Sequence, residues 1–267
     1  MSRFLIGTWN FLKLLYYTTV SDIRQSDGNA LRGLLKEVMQ TIVLVAMFYV
    51  MINVLGMRGI VVRGNFILFL MSGIFLFMSH NKAVLKISGS GGATNPMLKH
   101  APVSTLLVII SAALSSLYIQ IFSMGIVLLI AHTLIEPIVF YNFKGFMFCF
   151  FVAWISGISI GLLFLALSPF APTIIGLVTT LYRRANMIFS GKMVLASTLP
   201  GFILPMFAWN PLFHSIDQAR GYTFINYNPR VTDINYPIIL TFVFLIIGMM
   251  LEHWTRKYVS ESWSKRQ

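Results

Sequence analysis

The chain has 267 residues, of which 57% are hydrophobic and only 10% are charged, and its mean hydropathy is +0.79. This composition leaves too little polar surface to cover a water-soluble globule of that size, so it excludes an ordinary soluble domain. The formal net charge of +12 indicates a membrane-orientation bias and contact with anionic lipid, and we expect no nucleic-acid partner.

The first segment, residues 1–37, mixes aromatic and aliphatic residues with scattered basic ones. Trp9 and Tyr16 flank Lys13, a pattern typical of an amphipathic helix that lies in the membrane interface, and a frayed tail is the alternative. The charge in the middle of this segment and the lack of a long apolar run argue against a cleavable signal peptide. A charged connector is predicted from Asp22 to Glu37.

Long stretches without a charged residue then recur, and a helix of about 20 apolar residues crosses a hydrocarbon core. We predict six spans at about residues 38–55, 64–79, 103–131, 145–167, 173–196 and 236–251. The glycine- and lysine-rich stretch 80–101 is predicted as a polar loop that holds at most one short helix. Residues 38–252 are assigned to one transmembrane domain and residues 253–267 to a cytoplasmic tail.

A further apolar stretch, residues 193–216, has the composition of a seventh span but contains residues that break helices. Pro200, Gly201, Pro205 and Pro211 predict short pieces that enter the membrane and turn back. The predicted fold class is therefore an all-α polytopic membrane protein. It has six transmembrane helices, an N-terminal interfacial helix and a re-entrant hairpin between the fifth and sixth spans.

The lysines and arginines are distributed unevenly between the two sides that six spans define. The N-terminal segment holds five basic residues, the loop between the second and third spans three, and the C-terminal tail four. Because basic residues favour the cytoplasmic side, we expect both termini to be cytoplasmic. Seven spans would place the basic tail outside.

The sequence contains no recognisable catalytic, metal or nucleotide-binding motif. The stretch Gly89–Gly92 lacks the lysine and hydroxyl residue of a phosphate loop, so we expect no ATP hydrolysis and no cofactor in this chain. The histidines are scattered, and no carboxylate lies deep in a predicted span, which argues against a proton-coupled transporter.

Arg183 and Arg184 are two adjacent charges within the fifth predicted span. An arginine at the bilayer centre costs roughly 2.5 to 3.5 kcal/mol even on mild insertion scales, so the pair should face a partner or an aqueous path. One interpretation is a route for an anionic substrate, since guanidinium groups match phosphate and carboxylate oxygens. The alternative is that the pair lies near the cytoplasmic end and reaches the headgroups.

Phe148, Phe151 and Trp154 are spaced by three and lie on one face of the fourth predicted span. They are candidates for sugar-stacking contacts along a channel. Lipid-facing bulk and interfacial anchoring form the alternative interpretation.

Four sequence stretches, in order along the predicted topology, resemble the ABC-2 type permeases that export capsular polysaccharide, O-antigen and teichoic acid. They are Asp22-Ile23-Arg24 with Leu31-Arg32-Gly33-Leu34-Leu35, Asn95-Pro96-Met97-Leu98-Lys99-His100-Ala101-Pro102-Val103, Leu181-Tyr182-Arg183-Arg184 with Ile188-Phe189-Ser190-Gly191, and Trp209-Asn210-Pro211-Leu212-Phe213-His214 with Asp217 and Arg220. The last is the most specific, since it is similar to the family's W-N-P-x-x-H motif. The chain departs from many relatives by lacking a proline at the start of the first span and by its glycine-rich stretch from Ser88 to Gly92.

The resemblance implies a permease subunit in a bacterial inner membrane that forms a homodimer and joins two ATPase subunits, which bind the ATP. It implies a polysaccharide or lipid-linked glycan substrate, with periplasmic and outer-membrane export partners. The substrate pathway would include Tyr182, Arg183 and Arg184 together with the aromatic face of the fourth span. A coupling helix would lie within Lys82 to His100, with Lys86, Asn95, Pro96 and Lys99 as candidate contacts to the ATPase.

The resemblance also implies a re-entrant motif formed by Trp209, Asn210, Pro211, His214, Asp217 and Arg220. Since His214, Asp217 and Arg220 are spaced by three, they fall on one face of a short helix. The alternative is that Asp217 and Arg220 form only a surface ion pair.

The expected function is export of an anionic, lipid-linked capsular polysaccharide. One alternative is the same architecture moving another glycopolymer, a lipid or a drug. A second alternative, from a different class, is an intramembrane acyl or glycosyl transferase.

Overall fold

The computed structural model describes residues 2–27, 29–54, 65–91 and 104–264, and these residues form helices joined by irregular segments. The α-helices are α1 (Ser2–Asp27), α2 (Ala30–Val54), α3 (Phe66–Ser88), α4 (Thr105–Leu134), α5 (Phe143–Leu167), α6 (Pro172–Phe189), α7 (Leu204–Ala208), α8 (Pro211–Thr223) and α9 (Asn235–Ser264). A 3-10 turn, Ala196–Thr198, lies between α6 and α7.

Five of the described helices are long and apolar enough to cross a membrane. They correspond to α2, α3, α4, α5 and α9, over Leu31–Met51, Phe66–Ser88, Thr105–Leu134, Phe143–Leu167 and Asn235–Lys257. This confirms a polytopic helical protein of membrane type. Helix α6, the fifth span of the six predicted, has 18 residues and is not among the five.

Asparagine and serine side chains fix where three of these helices begin. The side chain of Asn65 accepts a hydrogen bond from the Leu68 amide at the start of α3. Ser104 and Asn142 cap α4 and α5 in the same way. Each cap satisfies an amide that has no partner within its own helix, so the chain leaves each turn at a defined residue.

Small polar side chains lie between the helices, while large apolar side chains cover much of the outside. The buried polar residues include Ser72, Ser79, Ser115, Gln120, Ser156 and Ser159. The exposed apolar residues include Val50, Leu129, Ile174, Phe242 and Met250. An apolar exterior of this kind is stable against lipid tails and costly in water.

Helix α3 approaches α5 closely because two glycines four residues apart leave room on α5. A Cβ atom on Gly157 would lie 2.4 Å from the His80 carbonyl oxygen, and one on Gly161 would lie 3.0 Å from that of Val84. Small residues at this spacing are a common way for membrane helices to pack. The approach places the His80 side chain against the backbone of α5.

Several predicted boundaries are wrong. The stretch after residue 79 is not a loop from its first residue, because α3 continues to Ser88. Its apolar residues Ala83, Val84 and Ile87 recur at helical spacing and are buried. The predicted connector from Asp22 to Glu37 is also largely helical, since α1 ends at Asp27 and α2 begins at Ala30.

The ends of the last two predicted spans also differ from the structure. Helix α6 ends at Phe189 rather than near residue 196, because Gly191 adopts a left-handed φ of 67° that stops the helix. Helix α9 continues to Ser264, so most of the predicted tail extends the last helix.

Candidate functional site

An irregular segment, residues 190–203, joins α6 to α7, and the side chain of Arg220 on α8 holds part of it in place. Arg220 is fully buried and donates hydrogen bonds to the carbonyl oxygens of Gly191 at 2.9 Å, Lys192 at 2.5 Å and Val194 at 2.6 Å. Its guanidinium lies 4.1 Å from the centre of the Phe69 ring on α3. A single cation thus binds three carbonyls that lie outside the helices, of which that of Gly191 also accepts from the Val194 amide.

Asp217, one turn before Arg220, binds the other side of the same segment. One carboxylate oxygen accepts from the Tyr227 hydroxyl at 2.6 Å and the Ala196 amide at 3.3 Å, and the other accepts from the Thr232 hydroxyl at 2.8 Å. Burial and the neighbouring carboxylate raise the pKa of Tyr227 well above its ordinary value, so its hydroxyl remains a donor. Both Asp217 and Arg220 are buried and bind different groups, so the structure does not contain the surface ion pair of the alternative interpretation.

Asn210, Pro211 and His214 set the start of α8. The Asn210 side chain accepts from the Leu212 amide at 3.0 Å, and Pro211 occupies the first turn, where a missing amide proton costs nothing. His214 Nδ1 accepts from the Asp233 amide at 3.2 Å, and Nε2 faces the Ala208 carbonyl at 2.8 Å, which assigns the ring proton to Nε2. These three residues of the motif therefore fix where α8 begins and how its first turns contact the neighbouring segments.

Trp209, the first residue of the motif, contributes mainly through its backbone. Its carbonyl accepts a hydrogen bond of 2.8 Å from the Tyr236 hydroxyl, and half of its side chain is exposed. The motif as a whole therefore connects the segment before α8 with the start of α9.

Lys192, within the irregular segment, is buried between aromatic rings. Its ammonium lies 3.8 Å from the centre of the Phe77 ring and 5.3 Å from that of Phe48, and it donates to the Met187 carbonyl at 2.5 Å. In the predicted fifth span, residues 173–196, this lysine lies near the C-terminal end. Aromatic faces and a carbonyl partly replace water around the charge, so its burial is tolerated without a carboxylate.

Polar side chains connect α3 to α6 at two adjacent positions. His80 Nε2 lies 2.9 Å from the Tyr182 hydroxyl, and its Nδ1 lies 2.9 Å from the Ser156 hydroxyl on α5. The Asn186 amide donates to Asn81 at 3.2 Å and its oxygen accepts from Asn210 at 2.9 Å. Of the residues of α6, only Thr179 and Asn186 are buried, so these hydrogen bonds are a major part of its attachment.

Arg183 and Arg184 differ in environment although they are neighbours. Arg183 is half-buried, and its buried Nε atom has no hydrogen-bond partner among the residues that the structure describes. Arg184 is exposed, and within the described part of the chain neither guanidinium forms an ion pair. The pair thus presents positive charge beside Tyr182, and none of the described carboxylates neutralises it.

The aromatic face of the fourth predicted span is divided between two surroundings. Phe148 and Phe151 lie on the exposed side of α5. Trp154 is half-buried, and its indole nitrogen donates to the Ser116 hydroxyl on α4 at 3.1 Å. The structure therefore does not bring all three to one buried surface.

The predicted coupling residues are only partly within the described residues. Lys86 lies on α3 and forms an ion pair of 3.0 Å with Asp22 on α1. Asn95, Pro96 and Lys99 lie outside the described residues.

The sequence interpretation did not identify His80, Asn81, Asn186 or Lys192 as parts of the site. Asn186 carried the clearest signal, because an unpaired amide inside a predicted span is costly and therefore indicates a hydrogen-bond partner. His80 and Asn81 were assigned to the predicted loop at residues 80–101, where polar side chains are expected to face water and so do not indicate a hydrogen-bond partner.

Comparison with models of known protein families and with the sequences of characterised proteins gives no match.

Proposed function

We propose that the protein is the transmembrane permease subunit of an ATP-driven exporter that moves an anionic, lipid-linked polysaccharide across the bacterial inner membrane. In this proposal two copies form the pathway and two separate ATPase subunits supply the energy. The single observation that best supports it is the segment at residues 190–203, three of whose carbonyls are bound by Arg220. Such a segment can lie within a membrane only if protein or water satisfies its backbone, and here a side chain of the described motif does so.

Helix α6 is the sixth membrane-spanning helix in this proposal. Its 18 residues extend over about 27 Å, slightly less than a hydrocarbon core of about 30 Å. Its amphipathic character fits a helix that faces an aqueous path on one side. Arg183 and Arg184, which lack carboxylate partners among the described residues, would then attract an anionic polymer.

The proposal is tested by reconstitution of the chain with a candidate ATPase subunit from the same organism. We expect a stable complex that hydrolyses ATP and moves a lipid-linked anionic glycan into proteoliposomes, while the chain alone hydrolyses no ATP. A matched complex with Arg183→Gln and Arg184→Gln should assemble and transport less. A chain that binds no ATPase and modifies lipid or glycan by itself would instead be a transferase.

The coupling contact has its own test. Replacement of residues 92–100, which leaves α3 and its buried residues unchanged, by a neutral linker should remove both the association with the ATPase and transport. If assembly and transport both survive that replacement, the coupling role of this stretch is wrong.

A further inference from the structure

A polar cavity of about 420 Å³ lies between α1, α2, α3 and α4, near the C-terminal end of α3. Its charged and amide lining residues are Asp22, Lys36, Glu37, Lys82, Lys86 and Gln120. Three lysines and two carboxylates give this lining a formal charge of +1. The cavity is separate from Arg220 and from the arginines of α6.

The two carboxylates of the cavity already have partners. Glu37 is 5% exposed, and its two oxygens accept from Lys82 and Gln120, each at 2.7 Å. One oxygen of Asp22 accepts from Lys86 at 3.0 Å and from the Ser115 hydroxyl. The negative charge of these two cavity carboxylates is thus largely neutralised before any ligand enters.

Lys82 and Lys86, in contrast, have donors to spare. An ammonium group carries three N–H donors. Lys82 uses two of them, on Glu37 and on Gln40 at 2.9 Å, and among the described side chains Lys86 donates only to Asp22. Because Lys82 and Lys86 are four residues apart on one helix, their side chains leave the same face of α3 and a single group can reach both.

We propose that this cavity binds a phosphate ester, with the phosphoryl oxygens between Lys82 and Lys86, and that the phosphate belongs to the headgroup of an anionic phospholipid. A ligand here must bring oxygen acceptors and negative charge, and phosphate supplies both. The second oxygen of Asp22 and the side-chain oxygen of Gln120 can accept from hydroxyl groups of the headgroup.

A lipid is favoured over a soluble phosphate because α1 forms one wall of the cavity. This helix exposes Trp9, Tyr16 and Tyr17, which are residues typical of the membrane interface. The phosphates of the bilayer lie at that level. The inference is independent of export, because it concerns binding to the chain itself.

The test is the thermal unfolding of the purified full chain in a neutral detergent during titration with lipid. Dioleoylphosphatidylglycerol should raise the Tm in a saturable way, because a ligand that binds only the folded state stabilises it, and dioleoylphosphatidylcholine should have little effect. Lys86→Gln should weaken the apparent affinity for phosphatidylglycerol roughly tenfold, because it removes a charge-assisted hydrogen bond. Lys86→Arg keeps the charge and should retain most of the binding.

The matched control is Lys144→Gln, which removes one positive charge from an exposed lysine at the start of α5. It should leave the affinity unchanged. Equal affinities for Lys86→Gln, Lys144→Gln and the unmodified chain would overturn the proposal. A Tm increase of the same size with inorganic phosphate alone would support the phosphate site and overturn the lipid as its source. If Lys86→Gln does not fold, loss of binding by Lys82→Gln supports the site and full retention overturns it.

Discussion

The side-chain amide nitrogen of Asn186 on α6 donates a hydrogen bond of 3.2 Å to the side-chain oxygen of Asn81 on α3. The side-chain oxygen of Asn186 accepts a hydrogen bond from Asn210, the residue before α8. One buried amide therefore joins three elements that are distant in sequence. Thr179 is the one other residue of α6 that is buried, so the hydrogen bonds of Asn186 are a main contact between this helix and the rest of the protein.

We expect Asn186→Leu to lower the thermal stability of the chain. The substitution removes two hydrogen bonds, each worth about 0.6 kcal/mol on average between membrane helices, and leaves Asn81 and Asn210 with unpaired buried groups. The measurement is the Tm of the purified protein. Thr180→Val is the control, because that hydroxyl is exposed and bonds only within its own helix. Equal Tm values for the two variants would contradict the role given to Asn186.

Gly191→Ala should destabilise the chain, since Gly191 has a positive φ and a Cβ there would lie 2.5 Å from the Phe213 ring. The left-handed backbone alone costs an alanine about 1 to 2 kcal/mol. Gly176→Ala on α6 is the matched control, because a Cβ there meets nothing within 4 Å. It should be neutral or stabilising by about 1 kcal/mol, since alanine favours a helix. Unfolding of both variants in parallel measures the difference, and the prediction fails if Gly191→Ala is the more stable.

Gly157→Ala should separate α3 from α5 and weaken the contacts of His80. An added Cβ would lie 2.4 Å from a backbone oxygen, which cannot move without the helix. Gly125→Ala on α4 adds the same methyl group where nothing lies within 4 Å. We expect a lower Tm for the first variant only. An unchanged Tm for both variants would show that the contact between α3 and α5 can accept the methyl group, and would contradict the prediction.

Substitutions of Arg183 and Arg184 distinguish between a pathway for an anionic substrate and anchoring of the helix at the headgroups. If they line the pathway, the double change to Gln should lower transport roughly tenfold while the complex still assembles, and Lys should restore it only partly because it lacks the bidentate fork. If they anchor the helix, Lys should substitute fully. Normal transport by the double Gln variant would exclude the pathway.

The six-span topology is tested by cysteine labelling. In a Cys149→Ser background, Ser262→Cys and Asn228→Cys should react with an impermeant reagent from opposite sides of the membrane. The native Cys149 is buried, so its replacement is needed only to remove background. Labelling of both positions from the same side would contradict six spans with cytoplasmic termini.

The apolar helices were predictable because hydropathy over about 20 residues depends on composition and not on packing. The residues at which the helices end were less predictable. The sequence showed His80, Asn81 and Lys82 as three consecutive polar residues, which is the pattern of a loop. In the structure each has a partner on another helix, so burial of polar groups reversed the local preference.

The motif around Asn210 and Pro211 could be recognised as a helix start, because both residues favour that position by their own chemistry. The partners of Arg220 could not be recognised. They are backbone carbonyls 26 to 29 residues earlier in the chain, and any residue type supplies a carbonyl. The cavity beside Glu37 was missed for a similar reason, since its charged residues come from three separate helices and the amide of Gln120 from a fourth.

The three carbonyls held by Arg220 also limit how this end of the protein can deform. A loop ordinarily bends by rotation about successive backbone bonds, each independent of the next. Between Gly191 and Val194 such rotations would break charge-assisted bonds in a buried place where water cannot replace them. The segment and α8 therefore behave as one mechanical unit, and displacement of either carries the other with it.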